Sequence, residues 1–366
     1  MKLNLTNIDD NPCSPSSTFM GMLRYLEVPV YVNGAVRQLY TNEGTSFLSE
    51  VDSSIDVVFA ERSHHLYHSN NVVTEKLFSA KEVNVHGYYN FYNTHNASHV
   101  YFPFYFAEAN IMDDTKVEMY SRSHPNFASQ KKQFLVSCVN RRPTPERLWL
   151  YALLHQQPFY NQSVTSIYQH LNGADSIDYD SFLTYSTNIS SPKTYNGTNP
   201  YDYFVEHIKH KLPICTEEDL RIYQQRSDYY TRNIDHPAFS DSYLNIISEH
   251  SYEAKFITEK TVKPIAAGQL FLMVGPCGAI QHLRELGFDT FDDLIDHAHY
   301  DNEPDVHTRL IKMFEVGTDV FKSGIEQMYI DTYHRREANI AYLFGDELRQ
   351  IIYEPIRRWI INEIRK

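Results

Sequence analysis

The sequence from Ser248 to Gly275, SEHSYEAKFITEKTVKPIAAGQLFLMVG, places one dense polar run between two apolar ones. The preceding run YLNII (243–247) and the later run LFLMV (270–274) have the length and composition of buried strands. Residues 262–267 predict a short helix that Gly268 ends, because glycine accepts the left-handed conformation of a helix C-cap. The order of strand, polar loop, helix and strand is typical of a parallel α/β sheet.

The polar run ends at a predicted helix start. Thr258 is suited to cap this helix, with Glu259 and Lys260 in its first turn. In parallel α/β sheets, ligands bind beyond the carboxyl ends of the strands, where such helix starts lie. Unpaired N–H groups and a lysine attract phosphate there, and a glutamate accepts hydrogen bonds from a ribose diol. The pattern indicates either a nucleotide site or, with equal weight, an ordinary helix start whose charged side chains face solvent.

The run Phe256–Lys260, F-x-T-E-K, is followed by K-x-x-x-x-G and an apolar strand that ends in glycine. This arrangement resembles the donor-site motif of α-1,3-fucosyltransferases. In that family a Glu-Asn pair precedes the run, and Glu249-His250 occupy its place here. The resemblance implies a GT-B glycosyltransferase, an α/β protein with two Rossmann-like domains that face each other across a cleft. It covers the quoted stretch closely and the C-terminal half loosely.

The same resemblance implies a nucleotide-diphosphate sugar as donor, with GDP or UDP as the nucleotide. In the family an arginine at a helix start contacts the donor phosphate, and Arg147 matches it, with Arg141 and Arg142 as neighbours. Arginine suits this task because its planar fork binds phosphate oxygens in a bidentate manner. The alternative is that these arginines are simply solvated.

The residues assigned to the donor are Arg147, Glu249, His250, Tyr252, Phe256, Thr258, Glu259 and Lys260. Arg147 and Lys260 are also the predicted catalytic cations, because they would neutralise the departing diphosphate. With these two charges in place, no metal ion is required.

The segment YFPFY (101–105) resembles an aromatic, proline-containing strand of the family, which has its catalytic base, a glutamate, a few residues upstream. Residues 84–101 of this chain contain no Asp or Glu. A base from this loop must therefore be a histidine, and we predict His95, with His86 or His99 as alternatives. An imidazole with a pKa near 6.5 can accept the proton of an attacking hydroxyl. The aromatic residues nearby fit either an acceptor platform or a core strand.

Three parts of the chain are predicted. Residues 1–128 form the N-terminal, acceptor-side domain, and residues 129–345 form the C-terminal domain that binds the nucleotide sugar. Residues 346–366 form a helix that packs back on the N-terminal domain, with a kink at Pro355. The polar run 113–131 is the predicted linker. Asp178-Tyr179-Asp180 has the D-x-D spacing of metal-dependent glycosyltransferases but lacks the strand end and turn of such a site.

Composition limits the function classes. A net charge of −13 over 366 residues argues against broad binding to nucleic acid or acidic lipid. A local basic groove remains possible, and its candidate residues are Lys131, Lys132, Arg141 and Arg142. The amino end lacks the plan of a signal peptide and no apolar window is long enough to span a bilayer, so we expect a cytoplasmic protein without stable membrane insertion. The four scattered cysteines favour reduced thiols.

The sequence therefore predicts an inverting glycosyltransferase that moves a sugar from a nucleotide-diphosphate sugar to a hydroxyl group of a glycan. Two alternatives stay open. The chain could be a DNA-modifying glycosyltransferase that acts on hydroxymethylated pyrimidine bases. It could instead be a non-catalytic nucleotide- or carbohydrate-binding protein with a degenerate GT-B cleft, which the missing loop glutamate favours.

Overall fold

The computed structural model describes residues 104–110, 120–140, 143–167, 182–183, 194–212, 214, 234–249 and 257–365, together with four short strands before residue 102. The chain divides into two compact units. The first comprises Met1–Asp113, Ala254–Thr258 and Tyr342–Lys366, and the second comprises Asp114–Glu253 and Glu259–Ala341.

The strands of the described residues are β1 (Leu3–Leu5), β2 (Val30–Val32), β3 (Asn84–His86), β4 (His99–Tyr101), β5 (Phe134–Asn140), β6 (Ser163–Ile167), β7 (Ser242–Ser248) and β8 (Leu270–Val274). The helices are α1 (Phe104–Asn110), α2 (Pro145–His155), α3 (Pro200–His207), α4 (Pro237–Ser240), α5 (Glu259–Ala267), α6 (Ala279–Glu285), α7 (Ala298–Asp301), α8 (Val306–Lys322), α9 (Ile325–Asp331), α10 (Tyr333–Leu343) and α11 (Asp346–Arg365). Short 3-10 helices span Pro125–Ala128, Tyr160–Gln162 and Lys209–Lys211.

The second unit is built on a parallel sheet with the strand order β6-β5-β7-β8. Every residue of β7 and β8 is buried. Both faces of these strands are therefore covered, which is why their sequences read as nearly continuous apolar runs. Parallel strands with helices between them confirm the predicted α/β class.

Helices cover the two faces of this sheet. Leu272 of β8 faces α8, where Gly317 lies so close that an added Cβ would stand 3.0 Å from the leucine Cδ1. The next residue, Met273, faces α5, where the Thr261 hydroxyl lies 3.7 Å from its sulfur. Since successive side chains of a strand point to opposite faces, α8 and α5 lie on opposite sides of the sheet. The helix α2 shares the α8 side, because the Trp149 and His307 rings contact each other at 4.4 Å.

The elements around the quoted stretch were predicted closely. The strands YLNII and LFLMV form the centres of β7 and β8, and α5 ends at Ala267 as expected. Gly268 has φ +70, and a Cβ on it would lie 3.0 Å from Ile340 Cδ1. A larger residue would therefore meet both backbone strain and a close contact.

Strand β4 ends at Tyr101 and α1 begins at Phe104, so the prediction of an aromatic strand over 101–105 is wrong in its second half. Pro103 directly precedes this helix. Proline is favoured at a helix start because its fixed φ suits the first turn and its missing N–H is not needed there. Phe106 of this helix is 1% exposed, so the helix is packed on at least that side.

The second half of the predicted linker is packed. Tyr120 and Phe127 are buried, and Arg122 forms an ion pair with Glu337 at 3.0 Å within the second unit. The segment is polar in composition because its buried aromatic residues, Tyr120 and Phe127, are few and far apart in the sequence.

In the first unit, the described strands form two parallel pairs, β1 with β2 and β3 with β4. The helix α11 packs on α1. The buried Asn110 amide donates to the carbonyls of Leu343 and Gly345 at 2.9 and 2.8 Å, and it accepts from Arg349 Nε at 2.6 Å. The helix runs on through Pro355. Within the segments that the structure describes, no helix combines the length and the apolar character needed to cross a membrane.

A buried histidine is linked by hydrogen bonds to β8, an edge strand of the sheet. His297 is fully buried, with Nε2 placed 2.9 Å from the Thr290 carbonyl and Nδ1 placed 2.5 Å from the Tyr300 hydroxyl. That hydroxyl also accepts from the Met273 N–H at 3.3 Å. The Thr290 carbonyl can only accept, so Nε2 carries a proton, and the neutral ring then accepts from the Tyr300 hydroxyl at Nδ1. Burial lowers the pKa of His297 to about 4.

We expect this histidine to make the fold acid-sensitive. Because the pKa is lower in the folded than in the unfolded chain, the unfolded imidazole takes up a proton first, and stability is lost as the pH falls from about 6.5 towards 4. Between pH 7 and pH 4.5, His297 should lower the free energy of unfolding by about 2 kcal/mol. Thermal unfolding of wild type and His297→Gln at both pH values measures it. The variant should be less stable at pH 7 and lose less on acidification; an equal pH dependence of the two proteins would contradict the assignment.

Candidate functional site

The strand order reverses between β5 and β7. From β5 the chain passes through α2 to β6 on one side, and it then returns to β7 on the other side of β5. At such a reversal the loops leave the two strands in opposite directions and open a crevice beyond their carboxyl ends, where ligands of α/β proteins bind. Asn140 ends β5 and Ser248 ends β7, so these two residues bound the candidate site.

Arg147 lies in the first turn of α2 and reaches the end of β7. That helix begins with Pro145, and its N-cap residue Thr144 makes no side-chain capping bond. Arg147 Nε donates to Ser248 Oγ at 3.4 Å, and Nη2 donates to the Ser248 carbonyl at 3.2 Å. The residue is 2% exposed, so it is a buried link between α2 and β7 and not a solvated cation.

Cys138 and Asn140 lie two positions apart in β5 and therefore share one face of the sheet. The Asn140 Nδ2 donates to the Cys138 sulfur at 3.4 Å. The positive charge of Arg147 acts on this thiol, but burial outweighs it and raises the pKa of Cys138 to about 12. The thiol stays protonated at neutral pH and is not suited to act as a nucleophile.

Glu249 occupies the opposite face at the end of β7. Its N–H donates to the Val274 carbonyl at 2.9 Å, and its carboxylate accepts from the Thr261 hydroxyl at 2.6 Å. Both residues are fully buried. Gly275 lies beside this side chain, since a Cβ there would stand 3.4 Å from Glu249 Cβ and Cγ. Glu249, predicted as a donor contact, thus fixes the first turn of α5 against β7.

Glu259 and Lys260 are brought together at the start of α5. Lys260 Nζ lies 3.0 Å from Glu259 Oε1, and the two side chains are 28% and 14% exposed. Because α5 begins at Glu259, both residues stand at the positive end of its helix dipole. Thr258 directly precedes the helix and is buried.

The next helix start along this edge is closed by the protein itself. Asp301 accepts hydrogen bonds from the N–H groups of Ile280 and Gln281 at 2.9 and 3.0 Å, which are the first free donors of α6. Burial raises the pKa of this carboxyl group. The anion-binding capacity of α6 is therefore already used, whereas α2 starts without a side-chain cap.

Several predicted site residues lie outside the described residues. These are His95, His250, Tyr252 and Phe256, together with Arg141, Arg142 and the triplet Asp178-Tyr179-Asp180. The alternative bases His86 and His99 belong to the paired strands β3 and β4. In the parts of the chain that the structure describes, no three His, Cys, Asp or Glu side chains converge as a metal site would require.

Lys132, one of the residues predicted to line a basic DNA-binding groove, is buried. Lys132 is 6% exposed, and its ammonium donates to the carbonyls of Asn126 and Ser240 at 2.5 and 3.0 Å. Burial lowers the pKa of Lys132 to about 8. Its long stem lets the charge reach carbonyl oxygens inside the protein, so Lys132 does not contribute to a DNA-binding surface.

No family model matches the sequence, and the search of curated proteins found no match. Among solved structures, an alpha1,3-fucosyltransferase matches with 10% identity and a TM-score of 0.39, over 95% of this chain and 91% of that chain. The DNA-modifying enzyme beta-glucosyltransferase, solved with and without its substrate uridine diphosphoglucose, matches with 11% identity and a TM-score of 0.33, over 96% of this chain and 98% of that chain. Likeness at this level does not assign the chain to either family.

Sequence reasoning missed three residues of the site, namely Asn140, Ser248 and Thr261. Asn140 and Ser248 are polar residues at the last position of buried strands, and Thr261 follows the T-E-K run directly. Their position as polar residues at the ends of predicted strands could have identified Asn140 and Ser248 as site residues. Nothing local indicated that Thr261 would bond to Glu249, twelve positions earlier.

The bond between Thr261 and Glu249 gives a stability prediction. Thr261→Val keeps the side-chain volume but removes the donor to a buried carboxylate, so it should lower the free energy of unfolding by about 2 kcal/mol. Thr261→Ser, which retains the hydroxyl, is the matched control and should lose clearly less. Chemical denaturation of the three proteins measures the difference. If valine is tolerated as well as serine, the bond does not hold the start of α5.

Proposed function

We propose that the crevice between β5 and β7 binds the diphosphate of a nucleotide sugar, and that the protein is an inverting glycosyltransferase. One coincidence carries the proposal. The T-E-K motif, which resembles a fucosyltransferase donor site, starts the helix that follows β7, and β7 is one of the two strands at the reversal of strand order. A helix start without a ligand could follow any strand of the sheet, whereas this one follows a strand that bounds the crevice.

Lys260 is the cation that a donor can reach. In the absence of ligand its ammonium is held by the Glu259 carboxylate at 3.0 Å. A diphosphate carries more negative charge than one carboxylate, so it competes for this ammonium, and the first-turn N–H groups of α5 add to the attraction. Negative charge grows on the diphosphate as the sugar leaves. Lys260 therefore stabilises the transition state more than the bound donor, as a catalytic group must.

Glu259 and Arg147 have complementary roles in this proposal. When Lys260 turns to the phosphate, the Glu259 carboxylate accepts hydrogen bonds from the ribose hydroxyls of the donor. The buried Arg147 holds the end of β7 through Ser248 and keeps a permanent positive charge beside the crevice. In a poorly solvated setting such a charge raises the local potential, which favours an anionic ligand.

Transfer would proceed by a single displacement. The acceptor hydroxyl oxygen attacks the anomeric carbon as the bond from that carbon to the diphosphate oxygen breaks, and the bond's electrons leave with the diphosphate. The hydroxyl proton passes to His95, and the configuration at the anomeric carbon inverts. We propose a glycan as the acceptor, because the net charge of −13 and the burial of Lys132 both disfavour a DNA surface.

The donor site is tested by ligand-induced stabilisation. GDP, UDP, CMP and ADP are each added to wild type, Lys260→Met and Lys263→Met. One diphosphate should stabilise wild type by about 2.7 kcal/mol at a hundred times its dissociation constant. Lys263→Met removes the same charge from the same helix, where Lys263 Nζ lies 4.4 Å above the Phe239 ring, and it should respond as wild type does. Lys260→Met should respond weakly. Equal responses of all three proteins would exclude Lys260 from the site.

The base is tested separately from the donor site. With the donor that binds, wild type should hydrolyse the sugar slowly by using water in place of the acceptor. His95→Asn should keep donor binding and lose this turnover by about a hundredfold or more, because general bases contribute on this scale. His99→Asn is the control. Full hydrolysis by His95→Asn would exclude His95 as the base, and loss of turnover only in His99→Asn would move the role to that residue.

A further inference from the structure

Asn140 is a buried polar residue that the proposed roles leave unused. It ends β5 at the reversal of strand order and is 3% exposed. Its Oδ1 atom is buried and has no hydrogen-bond partner in the described part of the structure. Its amide nitrogen has only the Cys138 sulfur, at 3.4 Å, and a thiol sulfur is a weak acceptor.

This differs from most buried polar groups around the same sheet. Arg122 also has one unpartnered nitrogen, but its Nη1 donates to Glu337 at 3.0 Å. Gln269, at the amino end of β8, donates to the Ala238 carbonyl at 2.8 Å and accepts from Asn245 at 3.2 Å. An unsatisfied acceptor is costly inside a protein, and an apolar residue of the same shape would avoid the cost. A residue kept at such a cost beside a ligand crevice is suited to meet a donor group on the ligand.

The face on which Asn140 lies indicates which part of the ligand it meets. Asn140 shares its face with Cys138, and the charge of Arg147, from α2, acts on that thiol. Glu259 begins α5, which packs on the opposite face. A nucleotide sugar is a linear chain of nucleoside, diphosphate and sugar. If Glu259 holds the ribose and the diphosphate lies over the crevice, the sugar extends towards the α2 side, where Asn140 stands.

We propose that Asn140 Oδ1 accepts a hydrogen bond from a hydroxyl group of the transferred sugar, which makes Asn140 a residue that determines sugar specificity. The inference rests on the proposed donor site and adds the sugar subsite to it. The neutral amide suits this position beside Arg147. A carboxylate would also accept from a hydroxyl, but it would repel the diphosphate that the crevice is proposed to hold.

The experiment compares each nucleotide with its sugar conjugate. The dissociation constants of UDP and UDP-glucose, and of GDP and GDP-fucose, are measured for wild type, Asn140→Leu and Asn140→Asp by calorimetry. Asn140→Leu removes the acceptor with little change in volume, and Asn140→Asp keeps an acceptor. In wild type the sugar of the cognate pair should tighten binding. Asn140→Leu should bind the bare diphosphate as wild type does, but the affinity gained from the sugar should fall about tenfold. Asn140→Asp should keep the wild-type ratio between the dissociation constants of the bare nucleotide and its sugar conjugate.

Each outcome bears on a different claim. If neither diphosphate binds wild type, the proposed donor site is wrong and the sugar subsite falls with it. If a diphosphate binds but Asn140→Leu keeps the full gain from the sugar, or wild type shows no gain, the sugar contact is wrong while the donor site stands. If Asn140→Leu weakens the diphosphate and its conjugate equally, Asn140 serves the nucleotide half instead.

Thermal unfolding of the same variants tests for a purely structural role. Asn140→Leu replaces an unsatisfied amide by an apolar side chain, so its melting temperature should be equal to that of wild type or higher. A clear drop in melting temperature, with unchanged ligand ratios, would mean that Asn140 serves the fold and not the ligand.

Discussion

The end of β7 is held from both faces of the sheet, and the geometry of the crevice depends on this double anchor. Ser248 and Glu249 are neighbours, so one faces α2 and the other faces α5. Arg147 bonds to the first and Thr261 to the second. A strand end normally passes into a mobile loop, but here two helix starts are fixed against the same two residues. Their N–H groups and charges are thereby held in fixed positions, which is the preorganisation that the proposed donor site would need.

The helix starts along this edge are not equivalent. Asp301 supplies a buried carboxylate to α6, which removes that helix as an anion site and locks the loop after β8. At α5 the only ion pair in the described residues joins two adjacent, partly exposed side chains, Glu259 and Lys260. A buried capping carboxylate is difficult to displace, whereas a partly exposed pair exchanges partners more easily. The protein itself therefore closes the start of α6, whereas the start of α5 keeps two partly exposed charged side chains.

The local elements of the second unit were predictable, and the contacts of its site were not. Runs such as LFLMV and the glycine at 268 specify strand and helix end through short-range chemistry. The pairing of Arg147 with Ser248 spans about a hundred residues and depends on β7 lying beside β5, which no local pattern encodes. The strand prediction for the aromatic segment 101–105 was wrong in its second half because bulky rings suit a buried helix as well as a strand. The T-E-K motif coincides with the start of α5, and the strand order determines which strands lie beside that helix start.

One buried polar group at the carboxyl edge of the sheet supports the proposal that the ligand binds at this edge. At the amino edge, Gln269 and Arg336 are buried, and their donors reach the carbonyls of Ala238 and Gly268 at 2.8 and 2.7 Å. Such bonds stabilise the fold and leave little capacity for a ligand. At the carboxyl edge, Asn140 keeps an acceptor without a partner in the described structure, and Lys260 keeps its cation partly exposed. Stability alone would favour an apolar side chain in place of the unsatisfied Asn140 amide, so its retention at this edge supports the proposal of a ligand there.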